Sequence, residues 1–134
     1  MTLEELNARC AYNTRNGIWI TAKEPGRCTV EIRVTENSVN PHGFVHGGLI
    51  FSACDVAACV AAMDTAEDAT SLVTQSGSLN FVRPGIGDLL RVEAECLYKG
   101  HRSALSRVSV YSREGKLLSS GEFTVARKSE APQS

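Results

Sequence analysis

Asp55 stands inside the most apolar run of the chain: residues 49 to 63 read LIFSACDVAACVAAM, and only Ser52 and Asp55 among them are conventionally polar. A lone carboxylate in apolar surroundings must be paired, solvated in a pocket or protonated, because its charge is costly to strip of water. Gly47 and Gly48 immediately precede the run. Where a loop enters a helix, the first backbone N–H groups lack intrahelical acceptors and the helix dipole favours negative charge beside them. Such a corner can hold an oxyanion. A carboxylate and an oxyanion corner, without a recognisable serine or cysteine nucleophile, suit a substrate whose leaving group departs readily. A thiolate, with a thiol pKa of about 8.5, is such a group, so the residues point to thioesters rather than amides.

Other reactive residues carry less. His42 and His46 have a spacing that binds zinc from one helix, but Pro41 and Gly43 disfavour a helix there, so no metal site is expected. Cys54 adjoins Asp55, yet consecutive helical residues point about 100° apart, and a buried apolar cysteine is ordinarily inert. It reads as packing. The turn KGHR offers Lys99, His101 and Arg102 as positive charge to an anionic group, against the commoner role of solvated turn charges.

The elements that must position these groups follow from pattern. Ser52 and Asp55 are three apart and share one helical stripe. Their helix, expected over 49–63, falls short of the about 20 apolar residues that span a bilayer and is read as a core helix. Upstream, Thr2 and Glu5 have capping-box spacing before a short amphipathic helix. Ile18, Ile20 and Ala22 then alternate with Trp19 and Thr21, and after the turn EPGR, Val30, Ile32 and Val34 alternate with Glu31 and Arg33, which predicts a hairpin. ENSVNPHGF is a loop and DTAEDAT a polar connection. Four segments of period two follow, SLVTQSGSLNFV, DLLRVEAECLYK, SALSRVSVYSR and LLSSGEFTVAR, separated by RPGIG, KGHR and REGK. The expected class is α+β, an antiparallel sheet curled around one long helix that is apolar on nearly all sides.

Size and charge bound the rest. The 134 residues suit one domain over 1–127, followed by a frayed tail at 128–134. A formal net charge of −1 gives no broad positive field for nucleic acid or an anionic membrane. The N-terminus lacks the pattern of a signal peptide, so a cytoplasmic location is expected. Five cysteines (Cys10, Cys28, Cys54, Cys59, Cys96) without a C-x-x-C pair read as free thiols.

The run Asn40-x-x-Gly43-x-x-His46-Gly47-Gly48-x6-Asp55, followed by LNFVRP at 79–84, resembles the hot-dog-fold acyl-CoA thioesterases of the phenylacetate-degradation (PaaI-like) type. The resemblance covers roughly residues 10–127. It implies that Gly47 N–H polarises the thioester carbonyl, that His46 shapes that corner, and that Asp55 is general base or nucleophile. Asn40 and Thr74 would place the attacking water or the carbonyl, while Gly48, Ser52, Phe81 and Arg83 join the KGHR residues as expected substrate contacts. No metal or cofactor is expected. A hot-dog enoyl-CoA hydratase needs a catalytic histidine, and none lies between His46 and His101; an acyl-CoA-binding module without turnover would leave Asp55 without a purpose. Gly47 and Asp55, eight residues apart, lie about 12 Å apart along a helix, too far to act on one carbonyl. A homodimer with two shared sites is therefore expected, with pairing of dimers into a tetramer as a further step. Which of Trp19, Phe44, Phe51, Phe81 or Met63 closes the acyl pocket is left open.

Overall fold

The computed structural model describes residues 1–65 and 67–128; the rest of the expected tail lies outside the described residues. Two short helices, α1 (Leu3–Ala8) and α2 (Ala11–Arg15), open the chain, and Thr2 caps α1 by accepting from the Glu5 N–H. The hairpin β1 (Ile18–Glu24) and β2 (Arg27–Arg33) follows, then α3 (Gly47–Ala61), a single turn α4 (Asp68–Ser71), and strands β3 (Leu72–Phe81), β4 (Leu89–Lys99), β5 (Ser103–Ser112) and β6 (Leu117–Arg127). The six strands form one sheet in the order β1-β2-β4-β5-β6-β3, with every neighbouring pair antiparallel.

Helix α3 packs against all of these strands, so the sheet must wrap it. Its long, nearly all-round apolar surface makes this necessary, because a flat sheet covers only one side of such a helix. Cys28, Val30 and Ile32 of β2, Leu90 and Val92 of β4, Val108 and Val110 of β5, and Phe123 and Val125 of β6 bury alternate side chains against Ala53, Cys54, Ala57 and Ala58. The small helical residues let the strands approach closely. One buried polar contact joins the layers: Ser106 Oγ donates to Ala58 O at 2.9 Å, satisfying a last-turn carbonyl.

Helix α3 begins two residues earlier than the pattern predicted and ends two earlier. His46 is the N-cap, its Nδ1 accepting from Gly48 N–H at 2.9 Å, which draws both glycines into the first turn. At the far end Ala62 and Met63 donate to Cys59 O and Val60 O, a tighter closing turn. The connection expected to be irregular contains α4. Ala22, expected to face inward with Ile18 and Ile20, is exposed, because the β1–β2 register slips between Ile20 and Ala22 and turns it outward.

A second slip matters more. In the β3–β6 pair, Thr74 opposes Val125 while Ser76 opposes Thr124, which leaves Gln75 as an extra residue. Strict alternation from Gly77 would turn Gln75 and Val73 toward the helix. The bulge resets the phase, so that Leu72 is buried and Thr74 faces α3. Beyond Leu72, β3 is an edge strand with Val73 and Phe81 exposed. Among the described residues no helix is long and apolar enough to cross a membrane.

Candidate active site

Asp55 lies half-buried near the middle of α3, and its Oδ1 accepts a hydrogen bond from Thr74 Oγ1. The carboxylate is therefore paired by the strand that the bulge aims at it. One turn earlier, Ser52 Oγ donates to Gly48 O at 3.0 Å and lies 3.0 Å from the Tyr12 hydroxyl. Ser52, Asp55 and Thr74 line one cleft of about 450 Å³. Leu6, Ile20, Val56, Val60, Met63 and Leu72 make most of its remaining wall apolar.

The glycine corner is built separately. Asn40 Oδ1 accepts from the N–H groups of His42 (2.9 Å) and Phe44 (3.2 Å), and Asn40 N–H donates to Phe44 O at 2.8 Å. This folds the loop on itself, with Gly43 in the left-handed region at φ 82°. His46 N–H donates to Ser38 O and Val45 N–H to Gly85 O, each at 2.8 Å, fixing the approach to α3. The Gly47 N–H, in the first turn, has no acceptor among the described residues. Asn40, Gly47, Phe81 and Arg83 line a second cleft of about 340 Å³. A Cβ on Gly47 would lie 3.4 Å from the Phe81 ring, an ordinary contact, whereas one on Gly48 would press to 3.0 Å from His46 Nδ1 and strain the cap.

The site residues expected from sequence thus fall into two clefts of one chain. His46 and Gly48 are exposed at the helix start, where His46 acts through its cap bond. The KGHR group is placed differently from expectation. Lys99 Nζ is held at 2.8 Å from both Asp64 and Asp68, so its charge is already matched, and Arg127 also reaches Asp68 at 3.1 Å. The His101 and Arg102 side chains are exposed, while their carbonyls accept from Arg127. Burial works against charge on Asp68, but the Asp64 N–H, Lys99 and Arg127 outweigh it and hold its carboxyl well below the usual carboxylate range.

The two thiols of α3 are not poised for attack. Burial, helped by the charge of Asp55, pushes Cys54 up to about 12 and Cys59 up to about 11, so both are protonated at neutral pH. Sequence reading passes over Tyr12 and Leu6, which reach the cleft from helices too short to announce what they cover.

Residues 42–119 match the thioesterase superfamily. A Saccharolobus solfataricus protein named as a candidate esterase is 35% identical over 94 residues, which is 70% of this chain and 66% of that protein. Acyl-coenzyme A thioesterase PaaI of Escherichia coli is 27% identical over 103 residues, 76% of this chain and 71% of the relative. The solved structure of that PaaI protein covers 94% of this chain, and this chain covers 90% of it, with a TM-score of 0.82 at 23% identity. A Streptococcus mutans protein solved bound to acetyl CoA aligns with a TM-score of 0.71 at 25% identity, over 84% of this chain and 91% of that one.

Proposed function

Because the chain belongs to the thioesterase superfamily, with the hot-dog fold of its PaaI-like members, we propose that it hydrolyses acyl-CoA thioesters to free acid and coenzyme A. The observation that carries this reading is the Asp55–Thr74 pair opening onto an apolar cleft large enough for an acyl group. Thr74 occupies Oδ1, and Oδ2 has no partner among the described residues. That second oxygen is the one to take a proton from an attacking water, or to attack the thioester carbon itself.

In the general-base route, water adds to the carbonyl carbon as its proton passes to Asp55. The negative charge formed on the carbonyl oxygen is received by a Gly47 N–H, the C–S bond breaks, and the coenzyme A thiolate leaves. In the nucleophilic route, Asp55 expels the same thiolate to give a mixed anhydride, which water then opens. Both routes need the glycine corner within about 3 Å of the carbonyl oxygen. Eight residues along α3 separate Gly47 from Asp55, about 12 Å, and the two line different clefts. We therefore assign each site to two chains: Asp55 and Thr74 from one, Gly47 and Asn40 from its partner, in a homodimer. Neither route requires a metal or an organic cofactor.

The direct test follows free-thiol release from a panel of aryl and aliphatic acyl-CoAs. Release of one coenzyme A per acyl-CoA consumed is expected; binding without thiol release would make the chain an acyl-CoA-binding protein instead.

A further inference from the structure

The cleft beside Asp55 is covered by the N-terminal helices, and that cover is lightly held. Helices α1 and α2 have six and five residues and bury none of them. Both are far shorter than a helix that is stable alone, and α2 starts without a side-chain cap. Yet Leu6, Arg9, Cys10, Tyr12 and Asn13 form the outer wall of the cleft.

Leu3 and Leu6 rest, only partly buried, against the core, and two side-chain hydrogen-bonded contacts tie the segment down. Asn7 Nδ2 donates to Ile20 O at 2.9 Å, and Asn7 Oδ1 accepts from Ile20 N–H at 2.8 Å. Strand β1 is the sheet edge, so a single side chain here makes the pair of bonds that a further strand would make. The second contact is Tyr12 with Ser52. The one Ser52 proton goes to Gly48 O, so Tyr12 is the donor between them. Beneath the cover, Val56, Cys59 and Val60 run along α3 away from Asp55, and Met63 follows in the turn that closes it. Met63 is eight residues beyond Asp55, about 12 Å along the helix axis. An extended chain advances about 1.2 Å per atom, so the space accommodates a substituent about ten atoms long.

We propose that residues 2–15 are a latched roof that limits the acyl group to about ten atoms in length, and that Asn7 is the latch. Asn7 does not line the cleft; it is a positioning residue, acting through the roof side chains that do. The inference rests on the reading of the site as an acyl-CoA hydrolase and adds its substrate class: medium-chain or comparably long aryl acyl groups.

The test measures kcat/KM for butanoyl-, octanoyl- and palmitoyl-CoA with the full chain and with Asn7→Ala, together with amide exchange across residues 3–15. The parent is expected to favour octanoyl- over palmitoyl-CoA by about tenfold or more. Asn7→Ala should narrow that ratio by gaining on palmitoyl-CoA, while exchange in the roof quickens by about tenfold, the worth of the two lost hydrogen bonds, and that of α3 stays as it was. Asn7→Asp, which keeps the acceptor for Ile20 N–H and loses the donor, should fall between the two. An unchanged chain-length ratio in Asn7→Ala overturns the proposal, even if the melting temperature drops, because a merely structural residue would leave selectivity alone. Unchanged roof exchange overturns it as well. If the parent releases thiol from none of the three substrates, the hydrolase reading has failed, and the substrate class proposed on it falls too.

Discussion

At Asp55 one carboxylate oxygen is engaged by Thr74, and the other, without a partner among the described residues, is the one proposed to react. Asparagine at this position keeps an acceptor for Thr74 and nearly the same volume, but cannot accept a proton at neutral pH. Asp55→Asn is therefore expected to lower kcat by about 10²–10⁴ while leaving the melting temperature within a few degrees of the parent, measured on one purified preparation. A purely structural carboxylate would give the reverse: large destabilisation with turnover preserved. Asp55 and Gly47 stand out as candidates in the sequence because each breaks its surroundings, a charge in an apolar run and two glycines before it. Lys99 reads as a substrate contact, and its ion pairs are not legible, since Asp64 and Asp68 are distant in sequence until the fold brings them against it. Tyr12 gave no signal, because nothing local ties an exposed aromatic to a serine forty positions away.

The elements and their order followed from periodicity, but their irregularities did not. A bulge is invisible in a strand whose two faces are both partly polar, and β3 reads as plain alternation through Gln75. Its consequence can be tested by removing that residue. The pairings on either side, Thr74 with Val125 and Ser76 with Thr124, are adjacent on β6, so deleting Gln75 should leave a regular ladder with Thr74 still facing Asp55. Turnover by this deletion variant is expected within about tenfold of the parent, well short of the about 10²–10⁴-fold that loss of a general base costs; a complete loss would mean that the bend itself positions the site. Helix α4 escaped notice for a different reason: its four residues are organised by Asp68, whose ion-pair partners Lys99 and Arg127 lie far away in sequence. Because the folded pKa of Asp68 is depressed, its contribution to stability is full above the unfolded carboxylate value of about 3.9 and is lost as pH falls through the lower folded value. In urea titrations the parent should lose stability below pH 4 more steeply than Asp68→Asn, which at neutral pH should already be weaker by about 3 kcal/mol.

At the scale of the molecule, Asp55 with Thr74 and Gly47 with Asn40 line different clefts of one chain, and the homodimer proposed above would join them. Gly47→Ala is expected to fold, since its new methyl meets only the Phe81 ring at ordinary distance, yet to crowd the oxyanion corner. Co-expressed with Asp55→Asn under separate affinity tags, it should yield heterodimers with one intact site and about half the parent kcat, because each chain supplies what the other lacks. Verified heterodimers with no more activity than either single variant would place both halves within one chain. The sequence suggested this division through the spacing of Gly47 and Asp55 alone. It could not show which surfaces meet, because shape complementarity is a property of folded faces rather than of residue order.

Strand β3 brings a hazard with it. From Leu72 to Phe81 it contains no charged residue and no proline, the features that ordinarily keep a sheet edge from recruiting another strand. Its outer row of N–H and C=O groups is open, and Val73, Phe81 and Val82 beside it are exposed. A newly synthesised copy that has folded alone is therefore adhesive, and in a crowded cell it is exposed to aggregation until that edge is covered. Substitutions that merely slow the covering would surface as insoluble protein, with every catalytic group intact.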